Sequence, residues 1–92
     1  MRIQDYVIPQ DVDTFELELP KGFKLLDIQQ TIVGPILFAI EDEHAPKSIE
    51  RFASIVPDQD RVELDVGVHV GTYQAQAGSV VRHIFHIPAL EA

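Results

Sequence analysis

Two histidines and an arginine near the carboxyl end are the clearest candidates for chemistry, in the stretch "VVRHIFHI" (residues 80–87). On a helix, His83 and His86 would lie on one side and could bind a metal ion together. The surrounding valine, isoleucine and phenylalanine residues favour a strand, where an offset of three sends the two side chains to opposite faces. We therefore expect no metal site at this pair.

Alternation along the same strand predicts which of its faces is buried. His83 lies on the more apolar face, together with Val81, Phe85 and Ile87. We expect this face to meet the core, where a histidine is more often a hydrogen-bonded core or interface residue than a ligand. Arg82 and His86 are expected on the opposite, solvent-exposed face.

Other groups of reactive side chains are weaker candidates. Glu63, Asp65 and His69 share one strand face, but a rise of about 3.3 Å per residue separates Asp65 from His69 by roughly 13 Å, which no single ion spans. The loop "EDEH" (residues 41–44) lacks the glycine and the spaced oxygen ligands of a calcium loop. The serines have no nucleophile-elbow context. We therefore expect no catalytic residue, no metal and no cofactor, and a protein that is not an enzyme.

One constellation could bind a ligand without reacting with it. We expect a hairpin that turns near Gly78. Tyr73 on its first strand then lies close to Arg82 or His83 on the second. His69 lies near the far end of the same hairpin. These four side chains could hold a small anionic or aromatic ligand, although we favour the alternative of a polar strand face with cross-strand pairs.

The charge balance bears on the class of partner. Fifteen acidic and seven basic residues give a formal charge of −8, which repels phosphate backbones, so nucleic acid is not expected as a partner. The acidity indicates ordinary solubility or, as a second interpretation, an acidic surface for a basic protein. No cysteine is present, which removes disulfides and thiolate sites. The chain shows no signal-peptide pattern and no long apolar run, so we expect a cytoplasmic protein that does not bind membranes.

Strands must position these side chains, because short apolar segments alternate with prolines along the 92 residues. Residues 14–19 ("TFELEL") alternate cleanly, and a "PKG" turn at 20–22 follows. Residues 62–70 ("VELDVGVHV") show the longest alternation and lead into the hairpin. The segment 48–56 fits a strand, which we favour, or a short helix. We predict one all-β domain over residues 1–92, a small antiparallel β-sandwich or rolled sheet of six to seven strands.

The segment "ILFAIE" (residues 36–41) is apolar on both of its strand faces. Such a strand is either central in the fold or part of an interface. A domain of this size has an incentive to bury that surface against a copy of itself. We therefore expect a homo-oligomer, a dimer or larger.

Several segments also occur in a recognisable order, namely "LPKGFKLLDIQ" (19–29), "ILFAIED" (36–42), the strand at 48–55, "VGTYQ" (70–74), Gly78 and "VRHIF" (81–85). This order resembles a family of small uncharacterised proteins encoded by bacteriophages and prophages. The chain differs from the family at residues 55–67, where members often carry a Gly-Thr-Gly turn. The resemblance implies a genomic setting, and it implies no activity, cofactor or catalytic residue.

Two functions fit that setting. The first is a non-catalytic phage accessory protein that binds and neutralises a host factor, either a defence protein or its nucleotide signal. The second is a structural or assembly component of the virion. Fold alone does not distinguish them, whereas neighbouring genes would: accessory genes favour the first function, and head or tail genes the second.

Overall fold

Seven strands and no helix occupy the residues that the computed structural model describes, which are 1–57, 67–75 and 80–88. All strand pairings are antiparallel. The predicted all-β class is confirmed, and residues 48–55 belong to a strand rather than a helix. The strands are β1 (Arg2–Val7), β2 (Thr14–Pro20), β3 (Lys24–Thr31), β4 (Gly34–Glu41), β5 (Lys47–Ile55), β6 (Val68–Ala75) and β7 (Val80–Ile87).

The strands form two sheets. Sheet A has three strands in the order β1-β4-β3, and sheet B has four in the order β2-β5-β7-β6. The doubly apolar segment "ILFAIE" lies in β4, the central strand of sheet A. Leu37 and Ala39 are fully buried on its inner side. A central position was one of the two alternatives predicted for this segment. The other side of β4 faces away from the core.

Two tight turns require glycine. Gly22 has a φ of 84°, and the backbone amide of Phe23 donates to the Pro20 carbonyl at 3.2 Å, which confirms the predicted "PKG" turn. Gly34 has a φ of 115° at the start of β4. The Thr31 hydroxyl donates to the Gly34 carbonyl at 2.8 Å and closes the β3–β4 hairpin. Both positions lie in the left-handed region, where a side chain would be strained.

The core lies between the two sheets and takes residues from both. Phe52 of β5 is fully buried and stacks on Phe15 of β2, with ring centroids 5.0 Å apart. Sheet A contributes Ile28 and Leu37. A Cβ added at Gly71 of β6 would lie 3.2 Å from the Ile28 side chain, so this glycine lets β3 and β6 pack closely. The remaining buried members are Ile8, Leu19, Tyr73, Ala75 and Ile84.

The burial of β7 is opposite to the prediction. Ile84 is fully buried in the core, and Arg82 and His86 share its face. The prediction was wrong because both faces of the strand carry apolar residues, while the polar residues of the inner face are buried with partners. Hydrophobicity therefore did not distinguish the faces. The outer face carries the residues that were expected to meet the core, Val81, His83, Phe85 and Ile87.

Some predicted features fall outside the described residues. The strand predicted over 62–70 is described only from Gly67 onward, so Glu63 and Asp65 are not placed. The turn near Gly78 is likewise outside the described ranges. The antiparallel pairing of β6 with β7 on either side of it confirms the predicted hairpin.

Candidate functional site

The four residues predicted to hold a ligand lie on two different faces of sheet B. Tyr73 and Arg82 are register partners on the core face. His69 and His83 lie on the outer face, with ring centroids 5.6 Å apart. A β-bulge between His69 and Gly71 causes this division, because the extra residue reverses the alternation between His69 and Tyr73. The structure therefore does not bring the four side chains together.

Arg82 holds the loop between β1 and β2 onto sheet B. Its side chain is only 12% exposed. Nη1 donates hydrogen bonds to the Val12 carbonyl at 3.0 Å and to the Ser54 hydroxyl at 3.2 Å. The backbone amide of Ser54 also donates to the Asp13 carbonyl at 2.8 Å, so the loop is held at two points. The prediction of a solvent-exposed Arg82 is wrong, and its guanidinium has a structural role.

Tyr73 lies beside Arg82 in the core. Burial raises the pKa of the Tyr73 hydroxyl, while nearby Ser54 and the charge of Arg82 act in the opposite direction. The hydroxyl oxygen and Arg82 Nε are both buried without a hydrogen-bond partner.

The outer face of the β6–β7 hairpin carries two imidazoles, a hydroxyl and a phenyl ring close together. Thr72 Oγ1 lies 2.8 Å from His83 Nδ1 and 3.4 Å from His69 Nε2. The Phe85 ring packs edge-on against the His69 ring, with centroids 5.3 Å apart. We call His69, Thr72, His83 and Phe85 the outer histidine cluster. Both polar contacts are exposed to solvent, so a dissolved ligand can reach them.

His86 is enclosed on the other side of sheet B and makes a contact that the sequence did not predict. Its Nε2 lies 2.8 Å from Glu50 Oε1, with the side chains 17% and 13% exposed. The rings of Phe23 and Phe52 pack against the imidazole at 5.5 Å and 5.2 Å. Ser48 donates to the second oxygen of Glu50 at 2.8 Å. The contacts join β5 to β7, and no local pattern could have revealed them.

A second unpredicted cluster lies at one end of sheet A. The Tyr6 hydroxyl donates to Glu41 Oε2 at 2.5 Å, and Arg2 Nη2 lies 3.7 Å from Glu41 Oε1. Burial, together with the hydrogen bond and charge of Glu41, raises the pKa of Tyr6 to about 12. Glu41 therefore belongs to the fold, whereas His44 of the same "EDEH" segment is exposed.

The outer side of sheet A carries a group of apolar side chains that is partly open to solvent. Register places Ile3 opposite Ile40 and Val7 opposite Ile36, with Phe38 between them on the same face. We call these five residues the apolar face. Ile3 and Val7, on the edge strand β1, are the exposed members, and Ile3 is 63% exposed.

Two further aliphatic side chains project from the β3–β4 hairpin. Ile32 and Val33 form its turn and are 103% and 67% exposed. We call them the hairpin tip. The unusual feature is the residue type, because tight hairpin turns favour Asn, Asp and Gly.

Within the described ranges, no group of three or more histidine, aspartate or glutamate side chains is arranged to hold a metal ion. No helix that is long and apolar enough to cross a membrane occurs in that part of the chain.

No curated protein and no solved structure matches the chain significantly. A family model does match it, over residues 1–91, and the chain therefore belongs to the family described as "Domain of unknown function (DUF7352)".

Proposed function

We propose that this chain is a non-catalytic accessory protein of a phage or prophage that binds and neutralises a host protein in the bacterial cytoplasm, as a homo-oligomer. The main support for this proposal is the exposure of the hairpin tip. Ile32 and Val33 are exposed where a turn needs no aliphatic side chain. Exposed apolar side chains on a projection are suited to insertion into a pocket of a partner protein.

The apolar face supports self-association. β1 is an edge strand of sheet A among the described strands, so the β1 strand of a second copy can pair with it in antiparallel fashion. Such pairing brings two apolar faces into one continuous surface around a twofold axis. Asp5 of β1 lies within the face, opposite Phe38, and Lys24 of β3 lies beside it, opposite Ile40. The charges of these two residues offset each other, whereas the whole chain carries −8. Two acidic chains therefore meet there with little repulsion.

The polar core contacts support a binding role over a catalytic one. His86 is engaged with Glu50, and Tyr6 is engaged with Glu41. Arg82 is engaged with the backbone of the β1–β2 loop. All of these polar side chains are occupied by contacts within the protein, and these contacts stabilise the fold. A protein partner fits better than a nucleotide signal, because the side chains predicted to hold an anion lie on two faces of sheet B.

A pull-down from lysate of the host bacterium tests the hairpin tip. The baits are the wild-type chain, an Ile32→Ser/Val33→Ser variant, and an Ile49→Ser control, which changes a 61% exposed isoleucine of sheet B. We expect one host protein to bind the wild type and the control and to be lost from the tip variant. Equal capture by all three baits contradicts the proposal, provided that the three proteins have the same melting temperature.

Size-exclusion chromatography with light scattering tests self-association separately. We expect the wild type, the tip variant and Ile49→Ser to run as the same oligomer at tens of micromolar. Ile3→Ser/Val7→Ser should run as a monomer, because it places hydroxyls in the apolar interface. A monomeric wild type would remove the homo-oligomer from the proposal and leave the tip unaffected.

The second candidate function is a structural or assembly component of the virion. The edge position of β1 among the described strands favours it, because edge pairing that does not close around a twofold axis continues into an open assembly. Growth of the oligomer with protein concentration would favour this function, and a closed dimer favours the accessory role. Neighbouring head or tail genes would favour it as well.

A further inference from the structure

Two imidazole nitrogens of the outer histidine cluster converge on one atom. His83 Nδ1 and His69 Nε2 lie 2.8 Å and 3.4 Å from Thr72 Oγ1. A hydroxyl carries one hydrogen, so Thr72 can donate to only one of the two nitrogens. The two imidazole nitrogens and the Thr72 oxygen therefore lie close together on a surface that solvent can reach.

The spacing of the two rings fits a shared metal ion. With metal–nitrogen bonds of about 2.0–2.1 Å and tetrahedral angles, two imidazoles on one ion have ring centroids roughly 5 Å apart. The observed separation is 5.6 Å, which is close to that value. We propose that the outer histidine cluster binds one divalent transition-metal ion, with His69 Nε2 and His83 Nδ1 as ligands.

The β-bulge in β6 creates this pair. Thr72 is the register partner of His83, so an uninterrupted ladder would place His69 opposite His86, on the core face. The bulge instead places His69 opposite Phe85, on the same outer face as His83. Bulges commonly re-aim side chains next to functional sites. The expectation of no metal at His83 and His86 considered one strand alone, whereas here the second imidazole comes from the neighbouring strand.

The type of ligand atom determines which class of metal ion the cluster can bind. Imidazole nitrogens suit Cu²⁺, Ni²⁺ and Zn²⁺, whereas Ca²⁺ and Mg²⁺ require several oxygen ligands. Thr72 can add its hydroxyl, and water fills the remaining positions. Phe85 packs against the His69 ring and limits its rotation. Two protein nitrogens make a weaker site than the four ligands of a structural zinc centre.

Calorimetric titration of the full chain with Cu²⁺, Ni²⁺ and Zn²⁺ at neutral pH tests the site. We expect one ion per chain, with Cu²⁺ bound most tightly. His69→Ala and His83→Ala should each weaken Cu²⁺ binding at least tenfold. His44→Ala is the matched control, because His44 is 88% exposed and lies outside the cluster, and it should bind as the wild type does. Binding that survives either cluster variant, or that His44→Ala weakens equally, overturns the proposal.

A second measurement identifies the ligands directly. Zn²⁺ is diamagnetic, so imidazole nitrogen resonances can be followed during its titration. We expect large shifts for His69 Nε2 and His83 Nδ1 and none for the enclosed His86. Shifts confined to His44 or His86, or no shift at millimolar Zn²⁺, contradict the assignment. Unchanged backbone amide spectra in the alanine variants would show that loss of binding does not reflect loss of the fold.

Discussion

Ile84 is fully buried between the two sheets, whereas Phe85, the next residue of β7, lies on the outer face against His69. Adjacent residues of a strand point to opposite sides, so burial of Ile84 in the core places Phe85 on the opposite side of sheet B. This relationship sets the orientation of every side chain in β7, including Arg82 and His86.

Ile84→Ala should lower the free energy of unfolding by about 2–5 kcal/mol, because it leaves a cavity in the core. Phe85→Ala should cost less, since removal of a side chain from the outer face leaves no enclosed cavity. Urea unfolding of the two variants measures the difference. A larger loss for Phe85→Ala would reinstate the face assignment predicted from the sequence.

Arg82→Ala should lower the free energy of unfolding by about 1.5–3 kcal/mol, because it removes charged hydrogen bonds to Val12 and Ser54. Arg51→Ala is the control, since Arg51 is exposed on β5 and its loss should cost about 0.5 kcal/mol or less. Chemical denaturation compares the two. Equal losses of unfolding free energy would show that the contacts of Arg82 with Val12 and Ser54 add nothing to stability.

The enclosed pair of His86 and Glu50 should show strong coupling in a double-mutant cycle. Glu50→Ala or His86→Ala alone should cost about 3 kcal/mol, because each leaves a polar partner enclosed and unpaired. The matched comparison is the exposed pair of His44 and Glu43, at 3.8 Å, whose coupling should be below about 0.5 kcal/mol. Similar coupling in both pairs would mean that enclosure has no effect.

Alkaline stability should depend on Tyr6. Its pKa rises from 10.0 to about 12 on folding, so the folded chain holds the phenol proton more tightly than the unfolded chain does. The resulting stabilisation is complete below pH 10 and is lost as the pH rises through about 12. Tyr6→Phe should lose less stability over this interval than the wild type. Unfolding at a series of alkaline pH values measures this, and identical pH profiles would contradict it.

The comparison of those two profiles isolates one tyrosine. The chain has two tyrosines, and Tyr73 also has a raised pKa. Because Tyr73 is present in both proteins, its contribution cancels in the difference. In Tyr6→Phe the remaining tyrosinate absorbance reports Tyr73 alone.

Local residue patterns were sufficient to predict the all-β class and several elements of this fold. Alternation and turn residues indicated the strands of an all-β domain, the "PKG" turn and the β6–β7 hairpin. The offset of three residues also predicted that His83 and His86 lie on opposite faces. Each of these features depends on backbone geometry within one segment or on the turn between two, which the residue types themselves determine.

Only the tertiary structure decided which faces meet and which side chains pair. Both faces of β7 are apolar, so its orientation depends on the partners that β5 and the β1–β2 loop offer to His86 and Arg82. The bulge at His69 shifts the register by one residue and separates His69 from Tyr73, which strict alternation places together. Such pairings join residues distant in sequence, as His86 and Glu50 are. Their identity follows from how the strands assemble, because no property of either residue alone specifies its partner.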